Sequence, residues 1–204
     1  NREVRNALHN IARKKLDMVT FDILPDLSSK LGFKDSPRNT KERQCMSRIL
    51  ASLHMIHYFT STMVKKFTRQ ILFDSSNIPK LRQLRYKKNQ YIIDNELFCS
   101  FNAKAETLSN IIKELIDLPS NIERFDRSYI YYISRAKLPK IQTKELKKSV
   151  KTLLCKEKLY PIIKLIYNAG LFQTILPSTK KILNQPQFDG YHYHPVDIHS
   201  IKTL

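Results

Sequence analysis

Glycine is scarce in this chain and tryptophan is absent. The 204 residues contain three glycines, Gly32, Gly170 and Gly190, and no two of them lie close together. Stretches of alternating polar and apolar residues, which would indicate strands, are also few. These two absences predict an all-α fold, a helical bundle with at most one small β-hairpin near residues 86–99.

Cysteine is also scarce, with three residues in the chain. Cys45, Cys99 and Cys155 are far apart and form no C-x-x-C pair, which argues against a disulfide framework and against a zinc ribbon. The sequence also has no run of about 18 apolar residues, the length that crosses a membrane, and no signal peptide is visible. These observations predict a protein of a reducing, cytoplasmic compartment, and both ends of the chain resemble cuts through a longer protein.

Acidic residues are outnumbered two to one by basic ones. The chain has 36 Lys and Arg against 18 Asp and Glu, a formal charge of +18. One interpretation is a nucleic-acid surface, because clustered cations bind phosphates and release counterions. The other is a set of solvated helix faces rich in lysine. We favour the second interpretation, since the lysines are scattered in pairs along the chain.

Helical periodicity is strongest in the first third of the sequence. A first helix is predicted over residues 3–31, with Pro25 kinking or dividing it. A second, over residues 40–73, carries apolar residues at steps of three and four. Asn39 and Glu42 have the spacing of a capping box at its start. His54 and His57 lie on this helix at i and i+3, and we interpret them as structural because no carboxylate accompanies them.

Further along, the pattern changes and then returns to helices. A short hairpin is predicted around Asp94-Asn95, and helices follow at about 104–117, 143–155 and 158–169. Gly32 and Gly170 each follow a helical run, where a C-cap is expected. The tyrosines of Tyr129-Ile130-Tyr131-Tyr132 could stack on nucleobases, but packing in a helical core is the favoured interpretation.

The last eighteen residues contain the most informative pattern. They contain three histidines, two aspartates and three aromatic residues, and they end in a short apolar period at Ile198, Ile201 and Leu204. This stretch resembles the Q-[FY]-D-x-Y-H-x-Y-T-V-D-E-H-T segment at the start of the HD hydrolase domain in the protein-PII uridylyltransferase/uridylyl-removing family. The matching positions are Gln187, Phe188, Asp189, Tyr191, His192, Val196, Asp197 and His199.

Two upstream segments extend the resemblance. Asn168 to Pro177 is similar to the t-G-x-L-x-x-x-x-P segment before the family's HD domain, and Arg5 to Phe33 is similar to the helical segment after its nucleotidyltransferase domain. The resemblance therefore implies a helical connector over 1–183 and the first helix of an HD domain over 184–204.

Members of this family are cytoplasmic, and the resemblance implies their chemistry for the longer protein. They uridylylate the PII signal protein with UTP, remove the group by hydrolysis in the HD domain, and sense glutamine through further domains. The resemblance implies a divalent metal, Mg²⁺ or Mn²⁺, with His199 as a ligand and Asp197 and His192 flanking the site. No membrane association is implied, and nucleic acid is not an expected partner.

The remaining catalytic residues are expected outside these 204 residues. The sequence has no Gly-Ser pair, no D-x-D after a glycine-rich strand and no His-Asp dipeptide. A metal that activates water needs several ligands, so we expect the 204 residues alone to be inactive. A basic helical module that binds nucleic acid is the alternative interpretation.

Overall fold

The computed structural model describes residues 2–72, 84–100, 102–141, 143–188 and 195–203. The chain divides into two compact units. The first unit combines residues 1–65 with 181–200, and the second combines 66–180 with 201–204.

Three helices form the core of the first unit. They are α1 (Arg2–Ala12), α2 (Leu24–Lys30) and the beginning of α3 (Lys41–Leu72). Each contributes two buried apolar side chains at helical spacing, so that one face of each helix packs inward. These side chains are Ala7, Leu8, Leu24, Leu27, Cys45 and Ile49.

The predicted single helix over 3–31 is wrong, and the chain breaks well before Pro25. Arg13 adopts a left-handed conformation with φ 51° directly after α1. Pro25 instead occupies the first turn of α2, where its missing N–H removes no helical hydrogen bond. Pro25 therefore marks the start of α2 and does not kink a longer helix.

The predicted long helix over 40–73 is confirmed by α3. Its capping differs from the predicted Asn39–Glu42 box. The Thr40 hydroxyl accepts the Arg43 N–H at 3.3 Å, and an Asp35 carboxylate oxygen accepts the Lys41 N–H at 2.8 Å. Two side chains outside the helix thus satisfy its first free donors.

The second unit contains a four-stranded sheet, which overturns the all-α expectation. The strands are β1 (Arg85–Lys87), β2 (Gln90–Ile93), β3 (Glu96–Cys99) and β4 (Arg124–Phe125), in that order across the sheet. β1 and β3 pair antiparallel with β2, and β4 pairs parallel with β3. The fold is therefore mixed α/β.

The hairpin predicted around Asp94-Asn95 is confirmed, and it forms the centre of this sheet. β2 and β3 flank Asp94 and Asn95, which adopt φ 49° and 60°, the left-handed pair that a tight hairpin turn requires. The turn between β1 and β2 differs, because Asn89, at φ 67°, is its single left-handed residue and the register of the two strands shifts between Arg85 and Lys87. β1 and β4 have three and two residues, too few to produce an alternating pattern.

Helices complete the second unit, and those predicted over 104–117, 143–155 and 158–169 are close to their predicted positions. They are α4 (Leu108–Ile116), α5 (Arg127–Ser134), α6 (Lys144–Leu154), α7 (Leu159–Asn168) and α8 (Phe172–Ile175), followed by a 3-10 turn at Pro177–Lys181. The last helix, α9 (Val196–Lys202), lies mostly in the first unit, which includes residues 181–200. Gly170, at φ 73°, ends α7, and the Leu171 N–H donates to the Ile166 carbonyl at 3.0 Å. Gly32 ends α2 in the same way, at φ 80°, so both predicted C-caps are confirmed.

A hydrogen-bonded carboxylate lies within the second unit. Glu114 on α4 accepts from the Gln90 amide at 2.6 Å, from the Tyr129 hydroxyl at 2.5 Å and from the Tyr132 hydroxyl at 3.3 Å. Tyr129 and Tyr132 are buried, as predicted for a helical core, whereas Tyr131 is exposed beneath the guanidinium of Arg135.

Burial and this carboxylate raise the pKa of both tyrosines. Desolvation is the larger cause, and the negative charge of Glu114 adds to it, for Tyr129 and for Tyr132. The neutral phenols therefore act as donors to Glu114 throughout the physiological range.

The three cysteines differ in their exposure to solvent. All three cysteines are free; Cys45 and Cys99 are buried, and Cys155 is exposed. Burial raises the pKa of Cys45 and of Cys99 to about 11. Within the described ranges, no helix is long and apolar enough to span a membrane.

Candidate functional site

The first turn of α9 is the candidate site, because it carries Asp197 and His199. Pro195 is buried immediately before the helix, and its carbonyl accepts the His199 N–H at 2.9 Å. The Val196 N–H donates to the Gln185 carbonyl at 3.0 Å. A proline before the first turn and a backbone bond to residue 185 fix where the helix begins.

Asp197 is fully buried and binds backbone amides on two segments. One carboxylate oxygen accepts the Asn184 N–H at 2.9 Å, and the other accepts the Ile198 N–H at 2.9 Å. Asn184 has a left-handed conformation, with φ 52°. The side chain of Asp197 therefore joins the turn at residue 184 to the start of α9, and its charge complements the positive end of the helix dipole.

His199 is exposed, two positions after Asp197. Residues two apart on a helix point in different directions. The carboxylate of Asp197 therefore faces the protein interior, whereas the imidazole of His199 faces solvent. Asp197 holds the first turn of the helix, and the side chain of His199 lies on the exposed side of the same turn.

His54, which the sequence suggested was merely structural, lies within electrostatic range of Asp197. Burial lowers the pKa of His54, Asp197 raises it, and the neighbouring His57 lowers it. Residues 54 and 197 belong to α3 and α9 and are distant in sequence. No spacing rule relates them, so only the folded chain brings this imidazole towards the carboxylate.

The described residues hold no complete metal site. Among them, no three His, Cys, Asp or Glu side chains lie together in a way that could hold a metal ion. His192, the other predicted flanking residue, lies outside the described residues. An exposed imidazole suits a divalent ion as one ligand, whereas the Asp197 oxygens are already bonded to amides.

Comparison with known proteins decides which family the chain resembles. The family model for the GlnD PII-uridylyltransferase matches residues 1–64. The predicted resemblance to this uridylyltransferase family is confirmed. The match covers α1, α2 and most of α3, and therefore includes all the helices that build the core of the first unit.

Curated relatives extend the similarity along almost the whole chain. The bifunctional uridylyltransferase/uridylyl-removing enzyme of Novosphingobium aromaticivorans is 22% identical over 98% of this chain. The enzymes of the same name from Zymomonas mobilis and Pseudomonas syringae are 23% and 20% identical over 98% and 99% of it. No solved structure matches the chain.

The chain spans only a part of these relatives. It covers 23%, 22% and 23% of the length of the three enzymes. Similarity to the uridylyltransferase family therefore concerns one region of a much longer protein.

Proposed function

We propose that this chain is the connector and the beginning of the hydrolase domain in a bifunctional PII uridylyltransferase/uridylyl-removing enzyme. The observation that carries the proposal is the alignment of 98% of the chain with enzymes of that name. The match of the family model to residues 1–64 supports it independently of the C-terminal motif. In this proposal residues 1–183 form the connector and 184–204 begin the HD domain.

The longer enzyme would work in the cytoplasm on a protein substrate. It would transfer a uridylyl group from UTP to the PII signal protein and later remove it by hydrolysis, in response to glutamine. UTP and glutamine would bind outside these 204 residues.

His199 would be one ligand of a divalent ion, Mg²⁺ or Mn²⁺, in the hydrolase site. Such an ion, when bound, lowers the pKa of coordinated water. The role of this chain is to present the imidazole. Asp197 acts as a positioning residue, since its two bonds to the Asn184 and Ile198 amides fix the first turn of α9. His192 would flank the same site.

The test is a pair of histidine substitutions in the full-length enzyme. His199→Ala should abolish removal of uridylyl groups and leave their addition largely intact, because one ligand is lost from one of two separate sites. His57→Ala removes another exposed histidine and should change neither activity. A His199→Ala enzyme that still removes uridylyl groups at the normal rate would refute the assignment.

One observation favours the alternative, a nucleic-acid-binding module. Lys144, Lys147, Lys148 and Lys151 are exposed at three- and four-residue steps along α6. If these cations are only a solvated face, binding to duplex DNA should disappear near physiological salt, where screening acts over about 8 Å. Tight binding at that salt concentration, measured by fluorescence anisotropy, would favour the alternative.

A further inference from the structure

A single apolar stripe runs along α3, and its two halves have different environments. Cys45 and Ile49 are buried in the core of the first unit, with exposures of 0% and 8%. Ile56 and Phe59 continue the same stripe at helical steps, yet they are 51% and 54% exposed. The first half of the stripe is covered by α1 and α2, and the second half faces solvent.

The uncovered half is large for a solvent-exposed surface. We define the α3 apolar face as Met55, Ile56 and Phe59, which lie within about 100° of each other around the helix and are between 51% and 64% exposed. Single exposed apolar residues are common, but three large ones side by side on one face of a helix form a patch of the kind that marks an interaction site. An amphipathic helix of this type commonly lies in an apolar groove.

The charges along α3 indicate which charges should border the groove of a binding partner. Between Glu42 and Asp74 the sequence contains no acidic residue, but it contains Arg43, Arg48, Lys65, Lys66 and Arg69. Arg48 is exposed on the same side of α3, two turns before Met55. A second copy of α3 would place cations against cations, which is unfavourable. Charge complementarity therefore favours an occupant whose apolar centre is bordered by carboxylates.

We infer that the α3 apolar face binds an apolar, carboxylate-rimmed surface in the rest of the same polypeptide, outside these 204 residues. This inference rests on the proposed function, because the chain covers only 22–24% of the enzymes that it matches. A surface tethered to α3 within one polypeptide has an effective concentration of about 1 mM or above, so a modest patch is enough for binding.

Photo-cross-linking in the full-length protein tests this inference. A benzophenone amino acid replaces Phe59, the protein is irradiated, and the cross-linked peptides are identified by mass spectrometry. We expect one dominant intramolecular product, joined to an apolar segment flanked by Asp or Glu beyond the 204 residues. The control is the same substitution at Ile141, which is 81% exposed in the second unit and should give no dominant product.

A pair of charge substitutions tests the rim. Phe59→Glu and Phe59→Lys both remove the aromatic side chain, but only Glu introduces repulsion against carboxylates. In full-length protein, hydrogen exchange of the cross-linked segment should increase several-fold in Phe59→Glu and clearly less in Phe59→Lys. An equal increase in the two variants, or a larger one in Phe59→Lys, would overturn the inference that carboxylates border the bound surface.

The remaining outcomes also decide the matter. Cross-links confined to residues 1–204, cross-links between two copies, or no product above the Ile141 control would each overturn the inference. Both enzymatic activities are measured on the unsubstituted protein. If they are present and the cross-link fails, the inference alone fails. If they are absent, the proposed function fails whatever the cross-link shows.

Discussion

Asp197 in the first unit and Glu114 in the second are two carboxylates that the fold uses differently. The donors to Asp197 described above are backbone amides, of Asn184 and Ile198. The donors to Glu114 are side chains, of Gln90, Tyr129 and Tyr132. A backbone donor is present whatever the residue, whereas a side-chain donor can be removed together with its acceptor. The two carboxylates should therefore differ in whether a second substitution can compensate for their loss.

The largest effect is expected from Asp197→Leu. Two backbone amides lose a charged acceptor, and the free energy of unfolding of the first unit should fall by about 3 kcal/mol. No substitution at position 184 or 198 other than proline removes these amides, so the loss should persist in double variants. Native-state hydrogen exchange of α1 and α3 measures the effect, and a change below about 1 kcal/mol would contradict it.

Glu114→Leu should lower the stability of the second unit by about 2 kcal/mol, because the buried Tyr129 hydroxyl loses its acceptor. Removing that hydroxyl as well, in Glu114→Leu/Tyr129→Phe, should recover at least half of the loss. Urea denaturation of the single and double variants forms a complete thermodynamic cycle. Strict additivity of the two substitutions would show that the hydrogen bond contributes nothing.

Alkaline pH should weaken the second unit through the same cluster. The pKa values of Tyr129 and Tyr132 are raised in the folded protein. The stability that the neutral phenols contribute is therefore complete below the unfolded pKa of about 10 and is lost as the pH rises above it. Unfolding free energies at pH 9 and pH 11 should differ less in Tyr132→Phe than in the unsubstituted chain.

The smallest effect concerns thiol reactivity. Burial raises the pKa of Cys45 and of Cys99 to about 11, so both are protonated and shielded at pH 8. Cys155 is exposed. Titration with a disulfide reagent should detect one fast thiol in the native protein, absent from Cys155→Ser, and three in urea. Rapid reaction of all three in the native protein would contradict the burial of the other two.

What the sequence predicts well here is local. The stripe of α3, the Asp94-Asn95 turn and the ends of α2 and α7 at Gly32 and Gly170 each depend on neighbouring residues, and each prediction is confirmed. The motif that includes His199 likewise led to the correct family resemblance. These features need only the periodicity and turn chemistry of one segment.

The errors and omissions involve long-range contacts or single backbone angles. β4 has two residues, and its parallel pairing with β3 depends on tertiary packing. The break after α1 depends on one left-handed arginine, Arg13, which has no sequence signature. The approach of His54 to Asp197 joins residues on distant helices. No local pattern contains this information.

Asparagine is the residue found most often at left-handed positions in the described parts of this protein. Among the described residues, Asn89, Asn95 and Asn184 adopt φ values of 67°, 60° and 52°. Asparagine tolerates this geometry, and its unfolded backbone explores fewer conformations than that of glycine. Compared with glycine at the same position, each asparagine lowers the conformational entropy of the unfolded chain, which favours folding by a free energy on the order of 0.5 kcal/mol at room temperature. The shortage of glycine thus acts on the unfolded chain, which has less disorder to lose when it folds.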